Sequence, residues 1–238
     1  LTYGGLLSTP ALRAESTLAV FEMLGAHYRA QGVRSLLYKA VPHIYHDIPA
    51  EEDLYALHRA GARLVRRDLS SAIALRAGAL ATQGRKAAIN KAVKAGVVRQ
   101  RQADPQAFHA LLREVLHRHG ATPTHSLDEL HLLMRRFPES IVLHEARRGD
   151  TLLASTLVYD FGRVVHTQYM AASEEGRRVD ALSFLLAGLI GEDYADREYF
   201  AFGISTEQGG TVLNAGLVAQ KEHFGARGVV HDFYEWVL

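Results

Sequence analysis

The sequence predicts an α/β protein with a mixed sheet, and three observations lead to that class. From Val97 onward, apolar runs alternate with stretches of helical periodicity in the order β-α-α-β-β-β-α-β-α-β. Three of these strands follow one another at hairpin spacing, with turns at Gly149-Asp150 and Gly162. The chain has 238 residues, 48% of them apolar and 22% charged, which excludes disordered, collagen-like and coiled-coil proteins.

The first part of the chain contains two predicted helices and two predicted strands. Thr9-Pro10 supplies an N-cap followed by proline at the first helical position, and apolar residues then keep helical spacing up to Gly32. Acidic residues 51–53 suit the positive end of a second helix, which Gly61 closes. Residues 33–38 and 64–75 are predicted to be strands.

A basic helix is predicted over residues 84–95, ending at Gly96. The segment from Arg59 to Arg101 contains eleven cationic residues and one anionic residue, Asp68, although the whole chain has a net charge of only +1. A basic stretch on a nearly neutral chain suggests a local anionic partner such as a phosphate, CoA or nucleic acid. The alternative is a solvated face whose charge is balanced in space by acidic neighbours.

The second half contains the clearest helix and strand boundaries. Asp104-Pro105 begins one helix, and Ser126 with Glu129 forms a capping box that begins the next, which stops at Pro138. The aromatic residues of 199–202 are predicted to lie in the core. The remaining elements are predicted strands at 97–101, 141–146, 152–159, 164–170, 199–204 and 228–236, and helices at 182–190 and 214–223.

Several protein classes are excluded by what the sequence lacks. No apolar run approaches the roughly 20 residues that span a bilayer, and no secretory leader is recognisable at the start. The chain has no cysteine, so disulfides, thiolate nucleophiles and cysteine-bound zinc are excluded. A reducing cytoplasm is the simplest setting. Because the chain begins at Leu1, we expect the natural polypeptide to extend upstream.

The common catalytic motifs are absent as well. His43 and His46, next to Asp47, could form a metal pair, but no third ligand has suitable spacing, and zinc sites usually need three. We therefore expect no metal, and treat His43, Tyr45 and His46 as residues of a substrate groove or as simple surface residues. Residues 203–206 lack a nucleophile elbow, and the P-loop, Rossmann and HExxH patterns are missing.

Two stretches near the C-terminus carry a resemblance to a known family. Residues 202–206 have the sequence F-G-I-S-T, and residues 214–225 contain N-x-G-L-x-x-x-K-x-x-F-G. With the order of elements, this resembles the Fem-type branch of the GNAT acyltransferase superfamily, which has a strand ending in F-G, a helix, and then F-K-x-x-F-G. One departure is Gln220, which occupies the place of the usual phenylalanine.

The resemblance implies a domain organisation. Residues 85–97 resemble the basic helix that precedes the second module of such proteins, and Tyr3-Gly4-Gly5 resembles a turn of the first module. We accordingly expect a partial N-terminal GNAT-like module over 1–78, a basic connecting helix over 79–96 and a complete C-terminal GNAT-like module over 97–238. The basic residues Arg85, Lys86, Lys91 and Lys94 are the candidate anion-binding or nucleic-acid-binding set.

The family also implies an activity. Fem-type enzymes move an aminoacyl group from tRNA onto a peptidoglycan precursor, and their broader relatives use acyl-CoA and act on amino sugars or envelope precursors. We therefore expect acyl transfer to an amine, from acyl-CoA as the first donor or aminoacyl-tRNA as the second, with no tightly bound cofactor. DNA is not an expected partner, and membrane insertion is not expected. A non-catalytic binding module is the third hypothesis.

The resemblance places a CoA-binding loop at residues 173–181. GNAT enzymes have R/Q-x-x-G-x-G/A there, so that backbone N–H groups at a helix N-terminus hold the pyrophosphate. In this chain Val179 replaces the middle glycine, and Asp180 would lie near the anion. The candidate cofactor-binding residues are Gly176, Arg177, Arg178 and Ala181.

Lys221 is the candidate catalytic residue. It lies three residues before Phe224, so the two share a helix face, and Gly225 is placed to end the helix in the left-handed conformation. A cation there could meet the oxyanion of acyl transfer. The alternative is a solvent-facing lysine paired with Glu222. Tyr169, Ser205, Thr206 and Asn214 complete the candidate substrate-binding residues.

Overall fold

The computed structural model describes residues 4–77, 83–118 and 120–238, with the side chains of 83–85 left out; Tyr3 and His119 lie outside this part. The helices are α1 (Ala14–Ala30), α2 (Glu52–Arg59), α3 (Gln83–Lys94), α4 (Gln106–His117), α5 (Leu127–Arg136), α6 (Glu174–Arg178), α7 (Ala181–Gly188) and α8 (Ala215–Glu222). The strands are β1 (Ser35–Lys39), β2 (Arg63–Ala74), β3 (Val98–Gln102), β4 (Ile141–Arg148), β5 (Thr151–Asp160), β6 (Val164–Ala172), β7 (Tyr199–Phe202), β8 (Thr206–Glu207), β9 (Val212–Leu213) and β10 (Arg227–Val237).

The chain forms two compact units, each built from separate stretches of sequence. Unit 1 comprises the described residues up to 70 with 204–215 and 228–238, and unit 2 comprises those of 71–203 with 216–227. The boundaries predicted at 78 and 96 divide the chain in sequence order, so they do not describe units of this kind. The three-module division stays a prediction.

Unit 1 is a small sheet with helices packed on it. Its strands lie in the order β1-β10-β2, and β1 runs antiparallel to β10 with Lys39 opposite Phe233. Phe21 of α1 and Leu57 of α2 pack with Trp236 in its core. The short hairpin of β8 and β9 also belongs to this unit.

Unit 2 contains a mixed sheet in the order β7-β6-β5-β4-β3, with the last residues of β2 antiparallel to β7. Neighbours from β3 to β6 are antiparallel, whereas β6 and β7 are parallel. The predicted mixed α/β class is confirmed. Both sheet faces are covered, because α3 and α7 pack in one apolar cluster and α4 and α5 in another.

Local sequence explains where these elements begin and end. Ser126 and Glu129 form the predicted capping box, with the Ser126 hydroxyl accepting the Glu129 N–H and the Glu129 carboxylate accepting the Ser126 N–H. Gly225 follows α8 with φ of 87°, a left-handed conformation that glycine adopts without a Cβ clash. Phe200 and Phe202 are fully buried, as predicted for the aromatic strand.

Four elements differ from the sequence prediction. The N-cap predicted at Thr9, with Pro10 as the first helical residue, is wrong, because α1 begins at Ala14 with Arg13 as its N-cap. The hairpin of β8 and β9 and the five-residue helix α6 were not predicted, because segments this short carry almost no periodicity. The helix predicted over 182–190 ends as α7 at Gly188 and continues as a π turn over Leu189–Asp193. Among the described residues, no helix is both long and apolar enough to cross a bilayer.

Candidate functional site

The most distinctive feature of unit 2 is the place where two parallel strands separate. Strands β6 and β7 pair only from Val164 to His166, opposite Tyr199 to Ala201. Strand β6 then continues to Ala172, paired among the described residues with β5 alone, while β7 ends at Phe202. The edge of β6 beyond His166 therefore has backbone groups available to an extended ligand.

A bulge in β6 lies next to this separation. The pairing of β5 with β6 shifts between Leu157 and Val158, which face Tyr169 and Thr167 and leave Gln168 as the extra residue. The Gln168 side-chain oxygen is buried and accepts no hydrogen bond from the residues that the structure describes. A buried acceptor without a donor is costly, so this oxygen is suited to a ligand N–H or O–H. No motif or periodicity in the sequence singled out Gln168.

Lys221 lies at the carboxyl end of β7. Its side chain is only 3% exposed, and its ammonium donates a hydrogen bond to the carbonyl oxygen of Gly203, directly after β7. Burial lowers the pKa of Lys221 to about 8. The alternative of a solvent-facing lysine is wrong, because Lys221 is buried although most residues of its helix are exposed.

Tyr169 is fixed by a partner that the sequence did not reveal. Its hydroxyl lies 2.7 Å from Nδ1 of His125, in the loop before α5, and its ring packs against Phe108 of α4. Tyr169 therefore belongs to the face of the sheet that α4 and α5 cover. Residues 44 positions apart give no spacing signal, which is why His125 was missed.

The loop at 173–181 is held by its own hydrogen bonds. The Ser173 hydroxyl accepts the N–H of Gly176, the Ser173 carbonyl accepts that of Arg177, and the N–H groups of Val179 and Asp180 also donate within the loop. Gly176 packs so closely on β5 that a Cβ there would lie 1.9 Å from the Leu153 carbonyl oxygen.

The other candidate cofactor-binding residues have partners inside the protein. Arg177 donates to the Ala172 carbonyl, and Arg178 forms an exposed ion pair with Glu174. Ala181 is buried and begins α7. Gly176, Arg177 and Arg178 therefore each contact other residues of this chain. Their role in binding a cofactor stays a prediction.

Some cations of helix α3 are exposed to solvent, and one of its lysines forms an ion pair. Lys91 forms a 3.0 Å ion pair with Asp180, which has a left-handed backbone at the start of α7. Lys86 and Lys94 are exposed. The Arg85 side chain lies outside the described residues.

Six candidate residues fall in unit 1. The Nε2–H of His46 donates a 3.0 Å hydrogen bond to the Val41 carbonyl oxygen, and the buried Nδ1 of His46 has no partner among the described residues. Tyr45 and His46 line a groove of about 270 Å³, whereas His43 is exposed and outside its lining. Within the described chain, no group of histidines and carboxylates could hold a metal ion.

Of the remaining three predicted residues of unit 1, Thr206 contacts a buried acid that the sequence did not single out. Asp68 is 2% exposed and accepts hydrogen bonds from the Thr206 hydroxyl at 2.9 Å and from Arg66 at 3.0 Å. Ser205 is buried and donates its backbone N–H to Leu69, while the Asn214 amide donates to Glu207 at 2.7 Å.

Comparisons with known proteins agree with this architecture. Among solved structures, FemX has a similar fold, with a TM-score of 0.69 and 11% sequence identity over 97% of this chain and 83% of FemX. L-PGS from Bacillus licheniformis has a TM-score of 0.63 and 14% identity over 93% of this chain and 73% of its own. A third similar fold is the C-terminal domain of a protein from Agrobacterium fabrum described as a lysylphosphatidylglycerol synthetase. Its TM-score is 0.66, with 14% identity over 93% of this chain and 74% of that one. At these identities the likeness concerns the fold alone. A comparison with curated proteins gives no match.

The sequence itself also matches a family model. The model describes an acetyltransferase (GNAT) domain and aligns with residues 82–208, more than half of the chain. This range includes the strands β3 to β7 and the point where β6 and β7 separate. Sequence match and fold agree with the resemblance drawn from the C-terminal motif, and the chain belongs to the GNAT acetyltransferase family.

Proposed function

We propose that the protein transfers an acyl group to an amine of a small molecule or a cell-envelope precursor, and that Lys221 takes part in the transfer. The observation that carries the proposal is the burial of a lysine ammonium at the carboxyl end of β7, beside the strand from which β6 separates. A buried cation without a catalytic or binding role is an expensive feature.

The proposed reaction forms one C–N bond and breaks one bond between the acyl carbon and its carrier. The acceptor amine attacks the carbonyl carbon, and the carbonyl oxygen becomes an oxyanion. The carbonyl then re-forms, the bond to the carrier breaks, and the proton lost by the amine passes to the leaving carrier. Burial disfavours the charged form of Lys221, yet a pKa of about 8 leaves it largely protonated at pH 7. Its ammonium can stabilise the oxyanion in a poorly solvated site, where a charge acts more strongly than in water.

Acyl-CoA is the first donor that we propose. The family model is named for acetyltransferases, and the break between β6 and β7 leaves an open strand edge along which a pantetheine amide chain could form backbone-like hydrogen bonds. The side-chain oxygen of Gln168, which has no donor among the described residues, lies on the same stretch of β6 and could accept one of these amide N–H groups.

A second candidate donor is aminoacyl-tRNA, and a specific observation favours it. In the loop at 173–180, the N–H groups of Gly176, Arg177, Val179 and Asp180 already donate within the loop, which leaves few for a pyrophosphate. Exposed Lys86 and Lys94 offer charge for a longer polyanion. The folds of FemX and of L-PGS are also similar to that of this chain.

The two donors can be separated by ligand-induced stabilisation. Thermal unfolding of the full chain would be followed with acetyl-CoA, with CoA and with bulk tRNA, because a ligand at about 100 times its Kd adds about 2.7 kcal/mol of stability. A shift with acetyl-CoA supports the first donor, and a salt-sensitive shift with tRNA supports the second. Binding without turnover, for any amine offered, would contradict the enzymatic proposal and support a binding module.

A further inference from the structure

A polar cavity of about 450 Å³ in unit 2 takes no part in the proposed transfer site. It is lined by residues of β3, the start of β4, the end of β5 and the π turn after α7. Gly162, in its wall, precedes the first residue of β6, whereas β6 and β7 separate only after His166. The cavity therefore lies at the opposite end of β6.

Two buried polar side chains form its inner wall. His144 and Tyr194 are 5% and 6% exposed, and the Nε2 atom of His144 lies 2.8 Å from the Tyr194 hydroxyl. Burial lowers the pKa of His144 to about 4, so the imidazole is neutral at pH 7 and the pair carries no charge. The wall thus offers a neutral donor and acceptor.

The π turn is what aims Tyr194 at this cavity. The Tyr194 N–H donates to the Leu189 carbonyl at 2.9 Å, the five-residue spacing of a π helix. Such turns widen the helix locally and occur often at functional sites. Asp193, on the same turn, also lines the cavity.

One cation of the cavity, Arg101, has no acidic partner in the part of the chain that the structure describes. Arg101 of β3 lies directly opposite His144 of β4, so the two side chains share a face of the sheet. Among the described residues, no carboxylate lies within ion-pair distance of Arg101. Its guanidinium is exposed at the cavity and can receive a ligand carboxylate in a two-pronged contact.

Carboxylates predominate in the rest of the cavity and around it. Asp160 accepts two hydrogen bonds from Arg197, and Asp193 pairs with Arg99, which also pairs with Glu192. Arg197 also forms an ion pair with Asp196. Glu139 lines the cavity and forms no ion pair within the described chain. Acids outnumber guanidinium groups in this cluster, so its potential favours a ligand that brings an ammonium group.

We propose that this cavity binds a small zwitterion, a free amino acid, with its carboxylate on Arg101, its ammonium among Glu139, Asp160 and Asp193, and the His144–Tyr194 pair beside it. This site goes beyond the proposed acyl transfer and does not depend on it. A cavity of this size holds an amino acid together with a few waters.

Isothermal titration calorimetry on the full chain tests the proposal. Glycine, alanine, glutamate and lysine would be titrated up to about 10 mM, ten times a millimolar Kd. At least one should bind saturably. Its N-acetyl form, which lacks the ammonium, and its amide, which lacks the carboxylate, should each bind about tenfold more weakly or not at all. Absence of saturable binding, or equal binding of the N-acetyl form, overturns the proposal.

Variants locate the binding. Arg101→Gln should weaken binding about tenfold, as expected when a charge-assisted contact is lost, and Tyr194→Phe should weaken it several-fold while keeping the buried ring. Arg113→Gln, at an exposed arginine of α4 outside the cavity, is the matched control. Equal affinities of the Arg101 and Arg113 variants would place the amino acid elsewhere and contradict the assignment. Circular dichroism confirms that each variant is folded.

Discussion

The ammonium of Lys221 donates a hydrogen bond to the backbone carbonyl of Gly203, and this contact joins α8 to the end of β7. The lysine is buried although it lies on a short helix with a weak apolar face. A carbonyl acceptor does not neutralise the ammonium, which is why burial lowers the pKa of this lysine. The arrangement holds a buried cation at the end of β7.

Replacing Lys221 by methionine tests its part in the reaction. The substitution keeps most of the stem and removes the charge. We expect the acyl-transfer rate to fall by about 10²–10³, the usual loss for one oxyanion-stabilising donor. The rate would be measured with the donor that the stabilisation experiment identifies. Full activity of Lys221→Met would exclude the catalytic role and leave a structural contact.

The same variant has a signature in the pH dependence of stability. The folded pKa of about 8 lies below the ordinary 10.5, so between these values the unfolded chain binds a proton that the folded protein lacks. The free energy of unfolding therefore rises with pH across this window, by up to roughly 3 kcal/mol. Urea denaturation from pH 7 to pH 10.5 should show this rise in the wild type and not in Lys221→Met. Parallel curves would contradict the burial of the charge.

His144 predicts a second pH effect, on the acidic side. Its folded pKa of about 4 lies below the ordinary 6.5, so the unfolded chain takes up a proton first as pH falls. The contribution of neutral His144 to the free energy of unfolding is complete above pH 6.5. It falls progressively toward pH 4, by roughly 3 kcal/mol. His144→Phe should reduce this loss. His58→Asn, at an exposed histidine of α2, serves as control and should leave the pH profile nearly unchanged.

Gly176 tests whether the 173–181 loop depends on close packing. In Gly176→Ala the new methyl group would lie 1.9 Å from the Leu153 carbonyl oxygen, so the backbone must move. We expect a loss of more than about 2 kcal/mol in the free energy of unfolding. Gly191→Ala, where no atom lies within 4 Å of the new Cβ, should change stability by less than about 0.5 kcal/mol. Similar stabilities of the two variants would show that the loop tolerates a side chain.

The exposed cations of α3 predict salt-dependent binding of an anionic partner. Reversing Lys86 and Lys94 to glutamate should weaken tRNA binding and reduce its dependence on salt by about one logarithmic unit of slope for each lost phosphate contact. Lys91 is left unchanged, because its reversal would place a glutamate against Asp180. Reversal of Arg113 and Arg136, two exposed arginines of α4 and α5, is the matched control. An equal loss of tRNA affinity in the lysine and arginine double variants would indicate a general effect of net charge. It would contradict a binding site on α3.

The sequence by itself determined the order of the main elements and several of their ends. The capping box at Ser126 and the left-handed Gly225 were predictable, because each depends on a few neighbouring residues and on backbone sterics. The C-terminal motif and the element order also sufficed to indicate the GNAT family, which the family match and the fold confirm.

The tertiary structure decided which polar residues are buried and what they contact. Lys221 meets Gly203 across 18 residues, Tyr169 meets His125 across 44, and Tyr194 meets His144 across 50. The same is true of position 176, where a glycine is required because Leu153, 23 residues earlier in β5, leaves no space for a Cβ atom. Burial and long-range hydrogen bonds depend on how the whole chain packs, and hydrophobic periodicity carries no information about such pairs. The site chemistry therefore emerged only once the elements were assembled.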